Sequence, residues 1–207
     1  MIRKSFEELV ASMAAKTPTP GGGAAAAMAG CLGTSLFLMT VRFSQGKKAN
    51  VEREDDLARA AGALEAHLQR LSPMAQKDCD AFDAVSAAFR MPKEADEAKA
   101  ARSAAIQESM VGAMLVPEET QEMIRDVFVT MDAVRGCVGK SIASDLASGA
   151  ALLLAGAEGA FLNVRINAAE LKDRARADET MARATAVRDE IRAHQQAIAA
   201  AVDELLG

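Results

Sequence analysis

GGGAAAAMAGCLGTSLFLMTV, residues Gly21 to Val41, carries no charged side chain over about the length that crosses a bilayer. Its small residues recur at helical spacing, with Gly22, Ala26 and Gly30 on one line and Ala29 and Gly33 on a neighbouring one. Such side chains contribute little to lipid insertion but let another helix approach closely. The stretch therefore reads as a buried central helix, from about Gly22 to Gln45, and not as a membrane span. A second nearly uncharged segment, from about Ser144 to Ile166 with Asp145 at its start, reads the same way.

Outward from these two, the pattern stays helical. Phe6, Leu9, Val10 and Met13 predict a first helix over about Ile2 to Ala15, ended by Lys16-Thr-Pro-Thr-Pro-Gly-Gly-Gly23. Leu57, Leu64, Leu68 and Leu71 line a charged helix from about Val51 to Leu71. Ser72-Pro73 then reads as an N-cap with Pro at the first helical position. Met74 to Arg90 follows, with Met74, Ala81, Phe82, Val85 and Phe89 inward. A long helix from about Asp96 to Arg135 should kink at Val116-Pro117, and a charge-rich helix fills about Ala168 to Leu206. No strand-like alternation appears. The expected fold is all-α: one domain over residues 1–207, a bundle of six to seven helices with two nearly apolar central ones. Two such helices exceed what one small bundle easily buries, which predicts a homo-oligomer seam.

Composition agrees. Ala makes up roughly a fifth of the 207 residues, far above ordinary usage, and has the best helix propensity. With 24 Lys plus Arg against 29 Asp plus Glu, a net charge of −5, and no Trp or Tyr, a nucleic-acid surface is not expected. Cys31, Cys79 and Cys137 lie far apart, and His67 and His194 have no ligand-like spacing to them, so neither a disulfide scaffold nor a metal site is expected. Acidic residues stand where a signal peptide needs an apolar core, which reads as cytoplasmic.

Several segments could carry chemistry. Gly136-Cys-Val-Gly-Lys-Ser141 looks like a P-loop, but Val134 stands where the first glycine belongs and no strand precedes it. Gly21, Gly22 and Gly23 end a Pro-rich arm at a helix N-terminus, open to an anionic or carbonyl-bearing ligand or to a close helix neighbour. Asp80 and Asp83 share a helix face from which Asp78 is displaced; they suit a general base or a solvated surface. Asp145, about to enter an apolar helix, must cap, pair or act. Asn163 and Asn167 stand i, i+4 near the end of that helix, and buried amides demand partners.

Together these pieces resemble the family of formimidoyltetrahydrofolate cyclodeaminases and stand-alone methenyltetrahydrofolate cyclohydrolases. The carrying residues are Thr17-Pro-Thr-Pro-Gly-Gly-Gly23, Gly46-Lys47-Lys48, Asp78-x-Asp80-Ala-Phe-Asp83-Ala-Val85, Pro92-Lys93, Lys99-x-x-Arg102, Val116-Pro117, Ser144-Asp145 and Gly159-Ala-x-x-Asn163-Val-x-x-Asn167. The resemblance implies an all-helical dimer acting on a tetrahydrofolate that bears a one-carbon unit, with no cofactor or metal. It implies Asp145 and Asp80 as the catalytic carboxylates, Lys93 and Arg102 for the substrate's carboxylates, Lys47 and Lys48 for a polyglutamate tail, and Asn163 and Asn167 for the pterin. The sequence departs from the family pattern at Gly139, Ser141, Ala147 and Asn50. Because the chain stands without a formimidoyltransferase half, cyclohydrolase is the first expectation. Cyclodeaminase, a non-catalytic folate binder and a helical interaction protein are the alternatives.

Overall fold

The computed structural model describes residues 5–207. These form seven α-helices and three short 3-10 turns, with no strand among the described residues. The helices are α1 (Phe6–Ala14), α2 (Gly22–Ser44), α3 (Glu54–Leu71), α4 (Met74–Phe89), α5 (Asp96–Asp132), α6 (Ala143–Ala169) and α7 (Arg174–Leu206). Lys48–Arg53, Arg135–Cys137 and Lys140–Ile142 are the 3-10 turns. The first residues expected in α1, Ile2 to Lys4, lie outside the described region.

The two apolar segments are the central pair, α2 and α6, packed antiparallel. A Cβ built on Gly33 would meet the Gly149 carbonyl at 2.7 Å, and one on Gly156 would meet the Ala26 carbonyl at 2.8 Å. Backbone thus lies directly on backbone, a distance that the small residues alone permit. Both helices are long and apolar enough to cross a membrane, yet about half of each apolar window, 56% and 44%, is buried inside the bundle.

Around this pair, α3 contributes Leu57, Leu64 and Leu71, α5 contributes Ile124, Val127 and Phe128, and α7 contributes Ile191 and Ile198. Phe37 of α2 meets Phe128 edge to face, with ring centroids 5.7 Å apart. Val85, Met110, Met114, Phe161 and Val164 form a smaller core at the end of α6.

Several local expectations change. Ser72 is not an N-cap: its backbone is helical, its hydroxyl donates to the Leu68 carbonyl, and Pro73 precedes α4. Asp145 is not a cap either, because α6 starts after Ile142 and places Asp145 in its first turn. Phe82 and Phe89 are 40% and 48% exposed, since the inward line of α4 runs through Met74, Ala75, Cys79, Val85 and Ala88. Residues 170–173 break the helix expected from Ala168, and the long helix expected from Asp96 ends at Asp132, with Pro117 inside it.

Among the described residues, one face of α2 is left largely uncovered. Ala25, Ala29, Leu32, Leu36, Met39 and Phe43 are exposed or half-exposed, at alternating steps of three and four. Leu162 and Ile166 of α6 are 49% and 65% exposed.

Candidate functional site

At the N-terminal end of α2 the Pro-Gly arm, α4, α5 and α6 enclose a cleft of about 390 Å³. Pro18, Thr19, Gly21 and Gly22 form one wall, Asp78, Phe82 and Val85 a second, and Asn163 and Asn167 a third.

The glycines explain how the charge enters. Gly21 occupies the N-cap position of α2 and has no side chain to cap with. Asp78 reaches over from α4 instead, and its carboxylate accepts the N–H of Ala24 in the first turn. Burial pushes the Asp78 carboxyl above the ordinary carboxylate range, and the Ala24 N–H draws part of that rise back.

Both asparagines line the cleft, each with one amide hydrogen engaged. Nδ2 of Asn163 donates to the Gly159 carbonyl at 2.8 Å, and Nδ2 of Asn167 donates to the Ala113 carbonyl of α5, also at 2.8 Å.

The structure therefore gathers Gly21, Gly22, Asn163 and Asn167, with Gly23 packed behind them against Asp78. It does not gather the other expected residues. Asp80 is exposed and accepts from Gln76 at 2.8 Å, because it lies on the outer side of α4. Arg102 is held away from the cleft: its guanidinium donates to the Phe89 carbonyl at 3.1 Å and lies 5.6 Å over the Phe89 ring. Lys93 is exposed in the turn before α5. Asp145 shares a line of α6 with Asn163 but lies eighteen residues, five turns or about 27 Å, away. Lys47 and Lys48 are at that same far end, just after α2.

The cleft carboxylate that sequence reasoning passed over as a site residue is Asp78. A signal was present, since Asp78, Phe82 and Val85 stand i, i+4, i+7 and so share a face, and all three line the cleft. Asn50, one of the departures from the family pattern, is structural: its amide donates to the Ser44 carbonyl at 2.8 Å and to the Cys137 carbonyl at 3.0 Å.

Comparison with known proteins adds a family to this geometry. Residues 5–186 match the family model described as formiminotransferase-cyclodeaminase. The chain is 38% identical over 178 residues to a methenyltetrahydrofolate cyclohydrolase of Methylorubrum extorquens, a match that covers 86% of each chain. It is 28% identical over 173 residues to the rat formimidoyltransferase-cyclodeaminase, covering 84% of this chain and 32% of that longer protein. The crystal structure of a formiminotetrahydrofolate cyclodeaminase from Thermotoga maritima has the same fold, with a TM-score of 0.89 and 24% identity over 99% of this chain and 98% of that one. The chain belongs to the formiminotransferase-cyclodeaminase family.

Proposed function

We propose that this protein is a folate one-carbon enzyme that hydrolyses 5,10-methenyltetrahydrofolate to 10-formyltetrahydrofolate. The observation that carries the reading is a desolvated carboxylate, Asp78, in the cleft of a chain 38% identical to a named cyclohydrolase. The substrate is a cation, its charge shared between N5 and N10 across the bridging carbon. Water adds to that carbon, and the bond to N5 then breaks. A carboxylate raised by burial is a better proton acceptor than an exposed one, and as an anion it also attracts the amidinium. Substrate and water suffice for this reaction, with no further cofactor. Cyclodeamination of the formimidoyl form is the second reading, favoured by the rat relative. It closes the ring from N10 and expels ammonia through a similar tetrahedral carbon.

The working unit is a homodimer of one-domain protomers in the cytoplasm. The uncovered apolar stripe of α2 supports a two-fold seam, because an antiparallel pair buries it against itself. Pairing about a point near Leu32 sets the far end of one α2 beside the near end of the other. Asp145, Lys47 and Lys48 of a second copy then flank the cleft. Asp145 serves as the second carboxylate and the lysines as contacts for a polyanionic tail.

The test follows loss of the methenyltetrahydrofolate absorbance band, beside an assay for ammonia released from formimidoyltetrahydrofolate. Hydrolysis without ammonia release supports the first reading. Ammonia release alone replaces it with the second. Neither turnover nor binding of a reduced folate ends both.

A further inference from the structure

A proline inside a helix lacks the N–H that would bond the carbonyl four residues before it. In α5 these residues are Pro117 and Ala113. The donor that meets the Ala113 carbonyl comes from another helix: it is Nδ2 of Asn167, 2.8 Å away. A carbonyl only accepts, so this bond fixes which way round the amide stands. The bond commits one amide hydrogen to α5 and leaves Oδ1 on the opposite branch of the amide. Asn163, one turn earlier, is held differently: its Nδ2 donates to the Gly159 carbonyl of its own helix and lies nearer than Oδ1, 3.1 Å against 3.8 Å, to the place of a Cβ on Gly22.

We propose that Pro117 is a specificity-determining positioning residue. By freeing the Ala113 carbonyl it commits an Asn167 amide hydrogen to α5 and fixes Oδ1 as the acceptor that Asn167 offers the cleft, which together with the Asp78 carboxylate selects a ligand edge rich in N–H donors. Oδ1 of Asn167 and the Asp78 carboxylate then both read donors. The 2-amino group and N3–H of a pterin form such a donor edge. The inference rests on the folate reading for the ligand, though not for the link between Pro117 and Asn167.

The link is tested first, without ligand, by a double-mutant cycle read as thermal midpoints. Asn167→Asp loses the hydrogens and sets a carboxylate against the Ala113 carbonyl, and should lower the midpoint by about 4 °C or more. In Pro117→Ala the new N–H meets that carbonyl, and the same substitution should cost less than half as much. An equal cost in both backgrounds overturns the proposal.

Binding is tested next by calorimetry with 5-formyltetrahydrofolate, a stable reduced folate, and its analogue lacking the 2-amino group. Pro117→Ala should weaken 5-formyltetrahydrofolate about fivefold, the worth of one hydrogen bond, because the Asn167 amide becomes free to turn its hydrogens inward. Adding Asn167→Asp to that variant should restore the affinity, since a carboxylate only accepts. The wild type should bind the desamino analogue at least about fivefold more weakly, and Asn167→Leu should lose that preference. Equal wild-type affinity for the two ligands overturns the selectivity. A coupled stability cycle with no folate binding instead overturns the folate reading and leaves the Pro117–Asn167 link standing.

Discussion

A methyl group on Gly23 would sit 2.0 Å from Oδ1 of Asp78. The carboxylate lies directly over the first turn of α2, at a distance that only a residue without a side chain allows. The same contact caps the helix, desolvates the acid and delivers it to the cleft. One backbone feature of the Pro-Gly arm therefore sets the position of the site's main charge.

The first prediction contrasts two neighbouring glycines. Gly23→Ala must push Asp78 aside, and should cut turnover by about a hundredfold, the lower range for a displaced acid or base. Gly22→Ala meets only the end of the Asn163 side chain, at 3.1 Å, and should cost under about tenfold. Steady-state kinetics of the two purified variants decide it, and equal losses would disconnect the Gly23 contact from catalysis.

Asp78→Asn should abolish most turnover while stabilising the protein at neutral pH. The folded carboxyl titrates above its unfolded value because burial disfavours the anion. Its contribution to stability is therefore full below the unfolded pKa and is lost as pH rises through the folded one. Asn keeps an oxygen for the Ala24 N–H and carries no charge. Thermal midpoints measured from about pH 4 to pH 8 should show the variant gaining on the wild type as pH rises. A gap that is constant across that range would mean that Asp78 does not titrate abnormally.

If Asp145 reaches the cleft of a second copy, two inactive variants should complement. In a hybrid dimer of Asp78→Asn with Asp145→Ala, one site carries both lesions and the other carries neither. Random reassociation should then restore about a quarter of wild-type activity. Without recovery in mixtures shown to exchange subunits, Asp145 does not act across the seam.

Packing of α2 on α6 gives a stability contrast. Gly33→Ala would set its methyl 2.6 Å from Leu153 and 2.7 Å from the Gly149 carbonyl, and should destabilise by about 2 kcal/mol. Gly62→Ala in α3 meets nothing within 4 Å and should stabilise by about 0.5–1 kcal/mol. Denaturant midpoints of both variants are the measurement.

The fold was legible because its signals are local. Residues Gly22 to Ser44 are one helix because small and apolar residues repeat at its period, and the stop at Lys16 to Gly21 follows from proline and glycine chemistry. The site was only half legible. Gly22, Asn163 and Asn167 stood out as odd residues on an apolar face. Asp78 and Asp80 are both acids on one helix; the line through Phe82 and Val85 marked Asp78, but nothing local to it announced the Ala24 N–H that it meets.

By itself the sequence determined the all-helical architecture, the central apolar pair and the family, since each depends on residue types at fixed spacing along one chain. Tertiary structure alone decided which carboxylate is desolvated and which way the Asn167 amide points. Those outcomes depend on what a neighbouring helix brings to each side chain: an N–H at Ala24, or a carbonyl at Ala113 left free by Pro117.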